Sequence, residues 1–278
     1  RHVPLVGRRL AVGPADGVED GGGDRRAHQR LRAPQPRERR NLAGAEQLAE
    51  ATTEDACERI VKPLTERAED SLAACLQRVG AIDSESGRPF VGVPTAFVSH
   101  ARKYRFADLL ATVKAFAAKQ PDPAAVYVWL DIFSQYQHWI GDVGSERRTV
   151  NWDVVFELTI AAIGHTCFML APWKDPIPLQ RAWMLWEALS TLEAPKNATL
   201  SIEVPPAEAA SFETALLDDF ESINKAVAEV DSRNAECFTP DDTRMIYEAI
   251  DRSVGHGALN QRVTDNLREW LAAEAKAL

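Results

Sequence analysis

The run Cys167-Phe-Met-Leu-Ala-Pro-Trp173, followed by Pro178-Leu-Gln-Arg-Ala-Trp183-Met-Leu-Trp186-Glu187, decides how the chain is read. Five apolar residues end at a proline, as a buried strand does where its sheet stops. Beyond the proline the apolar spacing becomes helical, and the helix carries one carboxylate, Glu187, among large apolar neighbours. Ionised side chains are rarely placed in such company without a partner or a task, because the charge loses its water.

The same alternation extends in both directions. Residues 95–99 (Thr-Ala-Phe-Val-Ser) read as a first strand, and 104–118 as a helix with Phe106, Leu109, Leu110, Val113 and Ala117 at helical spacing. Residues 125–130 read as a second strand ending at Asp131. The polar loop 134–150, which carries Tyr136, His138 and Trp139, is long enough to be a functional element. Asn151 is placed to cap a helix whose Val154, Val155, Leu158, Ala161 and Ala162 share a face. Residues 166–171 are the third strand, the Trp183 helix ends before Pro195, and 199–204 are the fourth. Short apolar runs alternating with helices signify βα units and a parallel sheet, hence an α/β fold.

Flanking segments have other patterns. Residues 1–44 combine Gly, Pro, Arg and Gln without periodicity, hold ten arginines within the first 40, and read as a disordered basic tail. A start at arginine rather than methionine is expected of a fragment or a processed product. Residues 45–89 read as a helical extension interrupted near Pro63, closed by the polar stretch 80–89. After the α/β domain at 90–205, residues 206–278 are expected to be helices packed on it. One long helix from Pro206 places Phe212, Leu216, Phe220, Ile223, Val227 and Val230 on a single stripe. Thr239-Pro-Asp-Asp242 is a helix start, and Leu259, Val263, Leu267, Trp270 and Leu271 mark a last amphipathic helix.

Composition narrows the class of function. The 278 residues are 45% hydrophobic, enough for a substantial core, and the net charge of -9 argues against a nucleic-acid partner. No apolar stretch reaches the roughly 20 residues of a membrane span, and no secretory h-region is visible, so a soluble cytoplasmic protein without a membrane partner is expected. Cys57, Cys75, Cys167 and Cys237 are widely spaced, signal neither a metal site nor a disulfide framework, and read as reduced thiols.

An open parallel sheet binds ligands beyond the carboxyl ends of its strands. The groups so placed are Ser99, His100 and Arg102 after the first strand, Asp131 after the second, and the segment from Trp173 to Glu187 after the third. The chain has no GxGxxG after its first strand, no Walker A sequence, no HExxH and no GxSxG elbow. A nucleophile built from Ser99 and His100 is disfavoured, since adjacent residues at a strand end point in opposite directions.

Four of these pieces, in this order, resemble the TIR (Toll/interleukin-receptor) domain family. Residues 95–100 resemble its opening strand, Val128-Trp-Leu-Asp131 its second, Phe168-Met-Leu-Ala-Pro172 its third, and Trp183-Met-Leu-Trp-Glu187 the tryptophan, three residues, glutamate pattern of its third helix. The resemblance covers about residues 93–205. It implies a flavodoxin-like three-layer sandwich with a short parallel sheet of four to five strands, here with N- and C-terminal helical extensions. It also implies a signalling or defence role, with oligomers formed with further copies or other TIR-like domains. In members that cleave NAD the helix glutamate is catalytic, which maps onto Glu187. NAD is then a substrate rather than a cofactor, and no metal is implied. Ser99, His100, Arg102, Asp131, Trp139 and Trp183 are the residues expected to hold the nucleotide. Where active members commonly carry an arginine directly after the residue matching His100, this chain has Ala101 and then Arg102.

The residues leave plainer readings open beside these. Glu187 fits a half-buried position paired with Arg181 or with a basic residue elsewhere, Trp183 and Trp186 fit core anchors, Asp131 fits a strand-end cap, and His100 and His165 fit satisfied polar groups at strand ends. The whole domain fits a non-catalytic interaction module as well as an NAD-cleaving enzyme.

Overall fold

The computed structural model describes residues 50–84, 86–138, 151–195, 198–228 and 230–278. The expected basic tail lies outside them, as do Trp139 and the rest of the loop to residue 150. In chain order the helices are α1, a continuous helical segment made of Thr53–Ala56, a π turn Cys57–Val61 and Lys62–Thr65; α2, Leu72–Arg78; α3, Phe106–Ala118; α4, Asp131–Ser134; and α5, Trp152–Ile163. They continue with α6, Ala182–Leu192; α7, Pro206–Asp218; α8, Phe220–Ala228; α9, Pro240–Arg252; and α10, His256–Ala277. None of the described helices is long and apolar enough to cross a membrane.

Four strands, β1 (Ala96–Ser99), β2 (Val128–Trp129), β3 (His165–Met169) and β4 (Thr199–Glu203), pair in parallel in the order β2-β1-β3-β4. All four residues of β1 are buried, as a central strand with helices on both faces requires. Alternation along β1 assigns its side chains to opposite faces. Phe97 joins a small cluster with Trp129 and Ile160: its ring stacks on Trp129 at 4.8 Å and meets Phe156 of α5 edge-on at 5.9 Å. Ala96 and Val98 belong to the main core, with Leu109 and Phe116 of α3. Ser99 therefore shares the Phe97 face, toward α5 and α6.

Helix α6 is apolar on nearly all sides, and only Trp183 and Leu192 keep partial exposure. Such a helix must be covered all round. It packs on β1, β3 and β4 on one side and on α9 and α10 on the other. The C-terminal helices are thus a second wall of the core. α7 packs on α3, and Phe212 stacks on Trp270 of α10 with ring centroids 5.3 Å apart.

The α/β sandwich with its parallel sheet is as the sequence predicts, but several boundaries move. The second strand shrinks to two residues, because Pro123 opens a 3-10 turn capped by the Asp122 carboxylate, and α4 begins at Asp131. The single long helix from Pro206 is two helices: Asp219 leaves the helical region (φ -146, ψ 53), and its carboxylate accepts from the Ser222 backbone N–H at 3.3 Å and from the Ser222 hydroxyl. Ile223 and Val227 stay buried, while Phe220 at the break is exposed. Pro63 does not interrupt α1. It sits within the first two positions of the last stretch, after a π turn in which Lys62 N–H bonds to Cys57 C=O, so the register around the proline is already shifted. Asn151 occupies the N-cap of α5 without a side-chain cap bond, whereas Thr239 caps α9 through Asp242 N–H at 3.1 Å.

Phe97→Ala removes the ring that joins β1, β2 and α5, and should cost about 3–5 kcal/mol of stability. Urea denaturation of the variant beside the parent chain measures this.

Candidate functional site

The sheet order reverses between β1 and β3, and the candidate residues gather at the carboxyl ends of these strands. Ser99, the last residue of β1, is 1% exposed. Its hydroxyl donates to Glu187 Oε2 of α6 at 2.5 Å. One turn further along α6, the Thr191 hydroxyl bonds to that of Thr166 on β3 at 2.8 Å, so this face of α6 looks onto the sheet. Glu187 is 7% exposed, and among the described residues its side-chain partner is this serine, not Arg181 or another basic group. Burial pushes its carboxyl up to about 8; the Ser99 hydrogen bond opposes the shift, and the Asp131 charge adds to it. At neutral pH Glu187 is mostly protonated.

Beside this pair lies a second group with the opposite electrostatics. Arg102 donates from Nε (3.1 Å) and Nη2 (2.8 Å) to Asp131 Oδ2, from Nη2 to Gln137 Oε1 (3.0 Å) and from Nη1 to Glu54 Oε2 (2.9 Å). Burial alone would raise the Asp131 carboxyl, but the charges of Arg102 and His100 and the hydrogen bonds from Arg102 and the Ile132 N–H outweigh it and hold the pKa below the ordinary value. Burial disfavours the Arg102 cation, yet Asp131 and Glu54 raise its pKa above the usual value. Burial lowers the His100 pKa, against the pull of Asp131. Its Nε2 lies 3.8 Å from Asp131 Oδ1, beyond hydrogen-bond reach, and neither atom has a partner among the described residues.

Two members of this network carry no signature in the sequence. Gln137 is buried, and its amide is fixed by donation to the carbonyls of Asp131 (2.9 Å) and Gln135 (3.2 Å) while its oxygen accepts from Arg102 and, at 3.4 Å, from Cys57 Sγ. Glu54 comes from the N-terminal extension. The first amides of α1 dock there, Thr53 N–H onto Tyr104 C=O at 2.8 Å and Glu54 N–H onto Arg102 C=O at 3.1 Å. These are helix-start donors that lack intrahelical acceptors, which explains their affinity for exposed loop carbonyls.

Ser99 and Glu187 thus meet directly, and His100, Arg102 and Asp131 form one network with Asp131 near enough to act on Glu187. Trp183 precedes Glu187 by one turn, but its ring packs at 5.0 Å on Phe156, extending the aromatic cluster of β1, β2 and α5. Trp139 lies outside the described residues. Two surface grooves lie elsewhere. One of about 240 Å³ is lined by Thr95 and His165 at the amino ends of β1 and β3, and one of about 850 Å³ is lined by Trp173, Lys174 and residues of α7 and α8.

A separate grouping of Ser232, His256 and Asp251 has the composition of a hydrolytic triad, with Ser232 Oγ 2.7 Å from His256 Nδ1 and His256 Nε2 3.9 Å from Asp251 Oδ1. Ser232 and His256 are 0% and 2% exposed, so no acyl group reaches them. They tie the chain before α9 to the start of α10.

Comparison of the chain with known protein families, with characterised proteins and with solved structures returns no match.

The raised carboxyl of Glu187 predicts a pH dependence of stability. With a folded pKa of about 8 against 4.5 for the free side chain, its contribution is fully present below pH 4.5 and is lost as the pH rises through 8. Glu187→Gln, which cannot ionise, should gain on the parent chain by up to about 1.4 kcal/mol per pH unit across that window. Urea denaturation of both proteins at successive pH values checks it. Removing the cation beside Asp131 should cost more uniformly: Arg102→Gln strands a buried carboxylate, an expected loss of about 3–5 kcal/mol near neutral pH, read by the same titration.

Proposed function

We propose that residues of about 93–205 form a TIR-like domain that cleaves the bond between nicotinamide and ribose in NAD, with Glu187 as its essential carboxylate. The observation that carries this reading is the placement of the Ser99–Glu187 pair where the sheet order reverses, the position at which open α/β sheets take nucleotides. A strongly perturbed carboxyl next to a charged network is also the pattern of a reactive site more often than of a purely structural one.

The chemistry asks little of general acids. Nicotinamide attached to ribose is a pyridinium, so the C–N bond breaks with its electron pair going to a neutral leaving group. What needs help is the sugar, which becomes oxocarbenium-like before water adds to it and releases a proton. An ionised Glu187 stabilises that cation, and Ser99 holds the carboxylate in place. Arg102 is the cation suited to the pyrophosphate. Trp183 walls the aromatic side, and Trp139 is kept in the proposal as the stacking residue.

Two observations favour the second reading, a non-catalytic module that associates with further copies or with other TIR-like domains. α1 lies over the loop after β1, and Glu187 is nearly fully buried. The two readings part on a direct assay.

Incubation of the purified chain with NAD, followed by chromatography of released nicotinamide, should show turnover that Glu187→Gln lowers at least about 100-fold, the scale of a lost electrostatic catalytic group. Because the working form is ionised and the resting pKa is near 8, the rate should climb with pH and level off above that value. No nicotinamide at any pH, together with unchanged self-association of Glu187→Gln in sedimentation, would establish the interaction module instead.

A further inference from the structure

The three acceptors around Arg102 are not equivalent. Nε and Nη2 point inward, to Asp131 and Gln137, and both acceptors are fixed in turn, Asp131 at the start of α4 and Gln137 by its own two donor bonds. Nη1 goes to Glu54 alone. The Glu54 side chain is 47% exposed, against 18% for Asp131. Asp131 by itself neutralises the guanidinium, so Glu54 brings a second negative charge to a cation that is already paired. An ion pair in that degree of contact with water contributes little to folding. α1 is held at this place by its backbone, through Thr53 N–H and Glu54 N–H, so its docking does not need the Glu54 carboxylate. Next to the same guanidinium, Asp131 Oδ1 and His100 Nε2 are buried 3.8 Å apart, and neither has a hydrogen-bond partner among the described residues.

We propose that Glu54 is a placeholder: its carboxylate occupies, on Nη1 of Arg102, the position that a phosphate oxygen of a pyrophosphate-bearing ligand takes when the site is filled. The inference rests on the reading of the strand ends as a nucleotide site, and adds to it the group that keeps the site closed. A phosphate oxygen accepts from that one outward arm as the carboxylate oxygen does, and the group carries more charge. Displacement needs only a rotamer change at Glu54, since its backbone stays bonded to the Arg102 carbonyl. The extension at 45–89 thereby acts as a competitive anionic cap, and whatever draws α1 away opens the site.

Calorimetric titration of the full chain with inorganic pyrophosphate at low ionic strength tests this in three proteins: the parent, E54Q and the double variant E54Q/R102K. Glu54→Gln should bind pyrophosphate about 5-fold more tightly than the parent, or better, the factor that corresponds to losing one exposed competing pair. Lysine keeps a cation beside Asp131 but has no second arm to offer outward, so the gain should vanish in E54Q/R102K. Glu54→Ala, which removes the same charge, should repeat the gain. Equal affinity in parent and E54Q overturns the inference, as does a gain that survives R102K, or no binding by any of them. Pyrophosphate has no glycosidic bond, so these outcomes are independent of nicotinamide release: tighter binding by E54Q in a protein that never consumes NAD upholds the placeholder and sinks the enzyme.

Discussion

A helix that is buried on nearly every side needs cover all round, and α6 is such a helix. From that constraint follows most of the architecture. The sheet covers one side of α6, and the other side obliges the chain to supply α9 and α10, which have no part in the sheet at all. The aromatic cluster of Phe97, Trp129, Phe156 and Trp183 closes the edge toward α5. A carboxyl carried by this helix is therefore buried by the needs of its neighbours, and Glu187 is perturbed because everything around it has to be dry.

The same small region keeps two carboxyl groups in opposite states. Asp131 is ionised because a guanidinium and the Ile132 N–H meet it, while burial raises the Glu187 pKa, its side-chain partner among the described residues being a hydroxyl and the Asp131 charge adding to the shift. Groups whose environments push their pKa values apart are how one site holds both an acid and a base. Ser99 can donate to either form of Glu187, so the hydrogen bond survives ionisation; desolvation is the largest part of the difference between the two forms, opposed by that bond and increased by the Asp131 charge.

The α/β layers were legible because they rest on local patterns. Alternation of apolar runs with helical spacing announced β1, β3, β4, α3, α5 and α6, and Thr239-Pro-Asp-Asp242 announced α9 by its cap. Ser99, Arg102, Asp131 and Glu187 were legible as strand-end residues, since position relative to a strand is itself a local property. What was not legible depended on partners distant in sequence or on single side chains. Asp219 breaks a helix by bonding Ser222, although the apolar stripe runs straight through it. The π turn lets α1 pass Pro63, which spacing alone reads as an interruption. Glu54 and Gln137 reach Arg102 from 48 and 35 residues away, and a glutamine in a polar loop looks like any other until its partners arrive. The aromatic role of Trp183 was decided by Phe156, a residue whose spacing gave no hint of that contact.

The polar stretch 80–89 looks like a border, and in composition it is one. In cooperativity it is not, because the start of α1 supplies the amide donors for the carbonyls of Arg102 and Tyr104, and Phe106 N–H bonds back to Ala51 C=O at 2.8 Å. The helix that begins the extension and the loop that ends β1 complete each other's hydrogen bonding. A fragment trimmed to the apparent α/β domain would leave that loop with unanswered carbonyls and the following helix without its first acceptor. Any autonomous piece of this protein that keeps these bonds therefore includes Ala51 to Glu54, some forty-five residues before its sheet.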